Sequence, residues 1–382
     1  MAAEPAFTYG IEEEYLLIDP QTLNLAPRPP SALFKEAVAA AEALPGAVTR
    51  ELLRAQLEVG TGVCTTTADG SHQLKQLRRV AINSAENHGL GLIACSTHPF
   101  AYSSDQHQTN RRRYREIAEE LQFVARRLMV CGMHVHVGID DPETRIGVLN
   151  ALREYLPLLL ALSASSPFWE GEDTGLKSVR PVILDELPRS GPPDRFLNYA
   201  GYSRALKSLT QTGVIEDASK IWWDARLSAK WPTIEIRIMD VAPRVLDALA
   251  LAALCRCLCR MLWRQIRDAK PAEFAPRLVV MENRWRAQRF GAFATLIDYR
   301  ETLLVPIADQ VRRLLEQLRP DADHFGCRAE LDRLTDIARN GSSAGRQRKV
   351  FNAKLDSGAG VDEALKAVVT ALREETRQDI GI

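Results

Sequence analysis

Four apolar, strand-like runs of this chain carry ionisable or polar residues two positions apart. Glu12 and Glu14 lie in Tyr9-Gly-Ile-Glu-Glu-Glu-Tyr-Leu-Leu-Ile18, and Glu58 follows Gln56 in Leu52-Leu-Arg-Ala-Gln-Leu-Glu-Val59. His134 and His136 lie in Met133-His-Val-His-Val137, and Glu235 and Arg237 in Thr233-Ile-Glu-Ile-Arg-Ile-Met239. Residues i and i+2 of a strand share a face. Each run therefore offers a polar pair on one face and apolar side chains on the other. Gathered in one sheet, the runs would give an oily back and a front crowded with carboxylates and imidazoles. Two carboxylates about 4 Å apart repel by roughly 4 kcal/mol at an effective dielectric near 20, so such a front calls for a cation. With Glu51 added, the donor set Glu12, Glu14, Glu51, Glu58, Glu235 and His134 is rich in hard oxygen. It suits Mg²⁺, with Mn²⁺ as the alternative; zinc would favour Cys and His.

Arginines supply the complementary charge. Arg226 in Trp222-Trp-Asp-Ala-Arg-Leu227 and Arg237 fall on the last hairpin, and Arg180 ends Asp173-Thr-Gly-Leu-Lys-Ser-Val-Arg180. Arg346 and Arg348 follow the turn Gly341-Ser-Ser-Ala-Gly345, where a helix start could cradle an anion or simply face solvent. Guanidinium groups grip phosphates and carboxylates bidentately. The polar helix segment Glu282-Asn-Arg-Trp-Arg-Ala287 reads as a face packed against the sheet through Trp285, and His98 reads as a turn residue.

Two nucleotide-binding look-alikes fail. Gly89-Leu-Gly-Leu-Ile-Ala94 follows a helix and enters a strand, the reverse of the dinucleotide fingerprint. Gly171-Glu-Asp-Thr-Gly-Leu-Lys-Ser178 has the wrong spacing for a P-loop. The His134-x-His136 pair also fits a metal-dependent hydrolase, but such zinc sites need later histidines and only His324 follows. A protein that binds Mg·ATP without turning it over is the third reading.

The elements that must position these residues are six strands, near 7–18, 49–63, 90–97, 129–139, 220–228 and 232–240. Helices fall near 31–43, 70–88 (capped by Asp69 or Ser71), 109–128, 144–164 and 194–209. Alternation within the strands favours an antiparallel or mixed sheet, with the last two strands a hairpin around Ala229-Lys-Trp-Pro232. From 241 to 382 the pattern is helical, broken near Pro271, Pro276, Gly291, Pro320 and Gly341–Gly345, and covers the back of the sheet. The expectation is a single α+β domain over residues 1–382.

Composition limits the alternatives. There are 49 basic and 49 acidic residues, so no basic excess marks a non-specific nucleic-acid or membrane-surface binder. The opening Met1-Ala-Ala-Glu-Pro5 has no signal-peptide character. Val245 to Trp263, the most apolar stretch, is interrupted by Asp247, Arg256 and Arg260 and reads as a buried helix. Seven cysteines without a C-x-x-C pair read as reduced core residues of a cytoplasmic protein. A homodimer is carried as an expectation with no particular residue behind it.

In order and spacing, Gly10-Ile-Glu-Glu-Glu-Tyr15, Gln56-Leu-Glu-Val-Gly60, Thr97-His-Pro-Phe100, Met133-His-Val-His136, Ser166-Pro-Phe-Trp169 and Ile234-Glu-Ile-Arg237 resemble the type 2 glutamate–cysteine ligases, or ATP-dependent carboxylate–amine ligases. The resemblance runs from residue 7 to about 350. It implies a six-stranded, mainly antiparallel sheet curved into a funnel, as in glutamine synthetase, with ATP and Mg²⁺ at the funnel. It implies metal-binding roles for Glu12, Glu14, Glu51, Glu58, His134 and Glu235, and matches the family's last-strand arginine to Arg237. Arg237 is expected on the transferring phosphoryl group and, from the arginine pattern above, Arg226, Arg346 and Arg348 are expected as further ATP contacts. Glu58 and Arg237 carry catalysis in this reading, and Arg180 and His136 face the substrates. Two positions depart from the family pattern: Glu51 stands where Asp is common, and His136 where another polar residue is found. The activity implied joins the γ-carboxylate of glutamate to an amine such as cysteine through an acyl phosphate.

Overall fold

Strand β1 (Tyr9–Ile18) is the organising element, because its residues pair along both edges. One edge takes β3 (Gln56–Thr61), which continues to β2 (Gly46–Arg50). The N-terminal part of β1 also pairs with β5 (Met133–Gly138), and its C-terminal part with β4 (Gly91–Ile93). Beyond β5 comes β7 (Thr233–Ile236) and then β6 (Ala225–Leu227), the expected hairpin. All these pairings are antiparallel. The computed structural model describes residues 4–268 and 274–381. The start of the N-terminal stretch and the expected break at Pro271 lie outside them.

The sheet has seven strands where six were expected. The run read as one strand over 49–63 is a hairpin: the chain turns through residues 51–55, where Glu51 accepts from its neighbour Leu52 N (2.6 Å) and Gln56 Oε1 from Leu53 N (3.1 Å). Glu51 therefore rises from a turn at the rim of the sheet.

Helix α1 (Ser31–Ala41) and α2 (Thr67–Asn87) pack beside β2 and β3. The α2 cap is Thr66, with Asp69 closing a reciprocal capping box, and not Asp69 or Ser71. The expected helix over 109–128 is α3 (Arg112–Leu121) and a short turn, broken at Gln122, whose φ is +49°. That over 144–164 divides into α4 (Pro142–Leu152) and α5 (Leu156–Ser163), and α6 spans Tyr199–Gln211 behind an Asn198 cap.

The longest helix, α7 (Val245–Arg267), is the apolar stretch read as buried, and it packs behind β5. Ile11, Tyr15, Leu57, Val59, Met133, Val135, Val137, Ile234 and Ile236 form the buried back of the sheet. Glu13 points into that back too. It is fully buried against Arg78 of α2, whose Nε and Nη2 lie 2.7 and 2.5 Å from its oxygens. Helix α8 (Arg277–Phe290) leads to a hairpin, β8 (Thr295–Asp298) and β9 (Leu303–Pro306), which the helical reading of this region did not foresee. Asn283 bridges to the backbone of Ile297 in both directions (2.6 and 2.9 Å), and so ties that hairpin to α8. Helices α9 (Ile307–Gln317), α10 (Arg328–Asn340), α11 (Ser343–Asp356) and α12 (Val361–Arg377) follow. All seven cysteines are buried and free. Among the described residues no single helix is long and apolar enough to cross a membrane; α4 and α5 pass that test only as a bent pair.

Candidate active site

Antiparallel register brings the front-face residues side by side. Glu14 stands opposite Glu58, and Glu58 opposite Thr49. Glu12 stands opposite His134, and His136 opposite Glu235, which in turn faces Arg226. One slip of register would send every one of these side chains to the back. They line a cleft of about 570 Å³, together with Glu51, Arg180 and Arg237.

Two donor groups result. Carboxylate oxygens of Glu14, Glu51 and Glu58 lie within 4.8 Å of one another, as do donor atoms of Glu12, His136 and Glu235. The first group is electrostatically strained. Burial and then Glu51 push the Glu14 carboxyl up to about 8. Burial, followed by Glu51, Glu12 and Glu14, pushes Glu58 well above the usual range, and burial raises Glu51. The second group is compensated. Burial would raise Glu12, but hydrogen bonds from His134 and His136 outweigh it and hold the carboxyl well below the usual range. Burial likewise opposes Arg237 and Arg226 at Glu235, and the arginines win. Arg226 grips Glu235 through Nε (2.8 Å) and Nη2 (3.0 Å), and Arg237 Nη1 contacts the same carboxylate.

His134 was read as the metal histidine and His136 as a substrate contact, yet the geometry puts His136 in the donor group with Glu12 and Glu235. His134 stands beside them, its Nδ1 3.2 Å from Glu12 and 3.4 Å from Arg237. Burial, then Arg237, pushes it down to about 4, so the ring is neutral, and its buried Nε2 has no hydrogen-bond partner among the described residues. A neutral imidazole beside a set of hard oxygens fits a divalent cation such as Mg²⁺ or Mn²⁺.

Arg180 is almost fully buried, and its guanidinium donates to the carbonyls of Arg237, Ile238 and Met239 (3.1–3.2 Å). It braces the segment that carries Arg237. Gly132 makes room for it: a Cβ there would sit 2.3 Å from Arg180 Nη2 and 3.0 Å from His134 Nε2.

Arg346 and Arg348 are not in the cleft. Arg346 is bound to Glu375 (2.5 and 3.0 Å) on α12, and Arg348 to Asp173 (3.0 and 3.1 Å through Nε). Nearby carboxylates use the charge that the turn 341–345 might have offered an anion. The segment 282–287 also differs from expectation. Trp285 is half-exposed, while Arg284, buried along with Asn283 and Ala287, clamps Asp185 (2.6 and 2.9 Å) and Asp224 (2.9 and 3.2 Å) at the cleft wall. Asp185 and Asp224 were missed, as were Arg111, Arg113 and Tyr114, which also line the cleft. Arg111 and Arg113 face the cleft without an ion pair among the described residues, and the run Arg111-Arg-Arg113 was the signal that could have found them. His98 is a buried turn residue, as read: its Nδ1 accepts from Phe100 N (3.3 Å) and Ala101 N (3.0 Å).

Residues 8–371 match the model of glutamate–cysteine ligase family 2. A candidate glutamate–cysteine ligase 2 of Rhodospirillum rubrum is 49% identical over 99% of this chain and 97% of its own length. A counterpart in Ruegeria pomeroyi is 46% identical over 98% of this chain and 96% of its own. Two solved structures share the fold at low identity. Glutamate–cysteine ligase of Francisella tularensis, in complex with AMP, has a TM-score of 0.68 and 12% identity, covering 98% of this chain and 89% of that one. A bifunctional glutathione synthetase of Pasteurella multocida has a TM-score of 0.68 and 14% identity, covering 98% of this chain and 53% of that one.

Proposed function

This chain belongs to glutamate–cysteine ligase family 2, and from that premise we propose that it is an ATP-dependent carboxylate–amine ligase of the cytoplasm, joining the γ-carboxylate of glutamate to an amine such as cysteine. The observation that carries the reading is the convergence of two acidic donor groups and Arg237 on one face of one sheet. A carboxylate is a poor electrophile, so amide formation needs activation. A carboxylate oxygen of glutamate attacks the γ-phosphorus of ATP, and ADP leaves. The amine nitrogen then attacks the acyl carbon of the resulting acyl phosphate, and phosphate leaves.

In this reading Glu14, Glu51 and Glu58 hold one divalent cation, and Glu12, His136 and Glu235 a second, with His134 beside them. When bound, the cations would supply neutralisation of the charge that develops on the transferring phosphoryl group. Arg237 lends its remaining guanidinium edge to the transferring phosphoryl group. Arg226 holds Glu235 in place, and Arg180 fixes the backbone behind Arg237. Arg111 and Arg113, which line the cleft without an ion pair among the described residues, offer cationic charge for the carboxylates or phosphates of the bound substrates. No side-chain nucleophile is needed.

The test is direct. The protein is incubated with Mg·ATP, glutamate and a panel of amines, and ADP release and product mass are measured. Amide product, lost in Glu58→Gln, is the expected result. Bound zinc with turnover in the absence of ATP would replace this reading with a metal-dependent hydrolase. Mg·ATP binding without ADP release from any acid–amine pair would replace it with an inactive binding protein.

A further inference from the structure

Away from the acidic cleft, three segments meet at the surface, and each carries an arginine. Asn150 on α4 fixes the first to the second, donating to Phe196 O (2.7 Å) and accepting from Phe196 N (3.1 Å). Glu154 fixes the first to the third by accepting from Ala275 N (2.8 Å). Arg277 Nη1 closes the triangle on Pro192 O (2.6 Å). The arginines so assembled are Arg153, Arg195 and Arg277.

Arg153 is the anomaly. It is only 3% exposed, yet it makes no hydrogen bond or ion pair among the described residues, and its Nε is buried without a partner. Burying a guanidinium Nε–H without an acceptor is costly, and a fold ordinarily supplies a carboxylate or carbonyl for it. The nearby acids do not serve. Glu154 is occupied by Arg300 (3.0 Å) and the Ala275 amide, and Asp194 is exposed and 3.8 Å from Arg277. Burial first, then Arg195 and Arg277, hold the Arg153 guanidinium below its ordinary range, with Asp194 and Glu154 offsetting only part of this. The other two arginines are exposed at the rim, Arg195 with its guanidinium carbon 4.2 Å from the Phe274 ring centroid. Arg277 is the first residue of α8, a helix of 14 residues, so the positive end of that helix lies beside it. Like charges beside an arginine that lacks any partner among the described residues make a receptor for an anion.

We propose that Arg153, Arg195, Arg277 and the N-terminus of α8 form a binding site for a compact oxyanion of the phosphate class, separate from the acidic cleft. Guanidinium forks and helix N-termini both suit tetrahedral oxyanions. The site also has a physical route to the cleft. Gly191 lines the cleft, and a Cβ on it would lie 3.8 Å from Arg277 Nη2. Two turns along α8, Arg284 clamps Asp185 and Asp224 in the cleft wall. The proposal does not rest on the ligase reading, since it requires only the anion.

The experiment is thermal melting of the full chain in chelator, titrated with inorganic phosphate, with chloride at matched ionic strength as the control. Wild type is expected to show a saturable upward shift of about 3 °C that chloride does not reproduce. Arg153→Met is expected to lose it, and so is the surface variant Arg195→Gln, which guards against a folding defect at the buried position. Arg237→Met, in the cleft, is expected to keep it. No shift in wild type, or a shift lost in Arg237→Met and kept in both Arg153→Met and Arg195→Gln, would overturn the proposal.

Discussion

Replacing Glu58 with Gln separates what the acidic cluster does for the fold from what it does for the reaction. Glu14, Glu51 and Glu58 hold oxygens within 4.8 Å of one another without being able to spread apart, because strand register and the 51–55 turn fix them. At that separation two charges repel by about 3.5 kcal/mol at an effective dielectric near 20. Glu14, pushed up to about 8, and Glu58, pushed well above the usual range, are largely protonated at neutral pH, so the folded protein relieves the repulsion by holding protons that the unfolded chain gives up. Gln at position 58 needs no such proton, and at pH 7 this should stabilise the metal-free protein by about 3 kcal/mol. For a chain of 382 residues, with a melting entropy near 0.8 kcal/mol per degree, that is an upward shift of about 4 °C. Scanning calorimetry in chelator should therefore find Glu58→Gln melting above wild type. Millimolar Mg²⁺ should raise the wild-type melting temperature and raise that of the variant less, while ADP release is lost only in the variant. A variant that melts below wild type in chelator, or gains as much from Mg²⁺, would refute the claim that these carboxylates are held together for a cation.

Other perturbations test the remaining parts. His98, pushed by burial from 6.5 down to about 4, resists protonation in the fold while the unfolded chain accepts a proton. Its contribution is thus whole above 6.5 and is lost as pH falls toward 4, worth about 3 kcal/mol; urea unfolding of His98→Gln should show a shallower acid loss than wild type. Glu13→Gln strands the buried Arg78 charge and should cost about 3–5 kcal/mol in urea unfolding, with much of it restored by adding Arg78→Met. An unchanged single variant would show that the buried pair is not coupled. Gly132→Ala drives a methyl into Arg180 and should cut ADP release roughly a hundredfold with the circular dichroism spectrum intact; full turnover would deny Arg180 its bracing role. Arg348→Gln, remote from the cleft and paired with Asp173, should leave the KM for ATP unchanged, and a large rise would return that arginine to the nucleotide site.

Much of the site was legible because strand periodicity is short and strict. Glu12/Glu14, His134/His136 and Glu235/Arg237 could each be placed on one face from spacing alone, and antiparallel register then aligned them. Turns were harder. Nothing in the periodicity of 49–63 marks the break at 51–55, which is held by the backbone contacts of Glu51 and Gln56. The hairpin Thr295–Pro306 was hidden for the same reason: Asp298 Oδ1 accepts from Arg300 N and Glu301 N, making the turn by contacts no helical period reveals. Arginines were the least readable, since their role depends on which acid is near. Arg226 and Arg284 found acids at the cleft, while Glu375 and Asp173 took Arg346 and Arg348 on the far helices.

Glu12-Glu13-Glu14 shows how one tripeptide divides these duties. Alternation sends Glu13 backward into an apolar layer, where Arg78 and the Tyr15 hydroxyl satisfy both of its oxygens. The same alternation sends Glu12 and Glu14 forward. Glu12 meets two histidines, and Glu14 meets the Gly132 amide (2.7 Å) but also two like-charged neighbours. A carboxylate buried for structure is paired within the protein; one buried for chemistry is left for something that arrives from outside. On that criterion Glu13 belongs to the fold, Glu14 and Glu58 belong to a cation, and Glu235 does both: it stands in the second donor group while its two arginine partners aim Arg237 into the cleft.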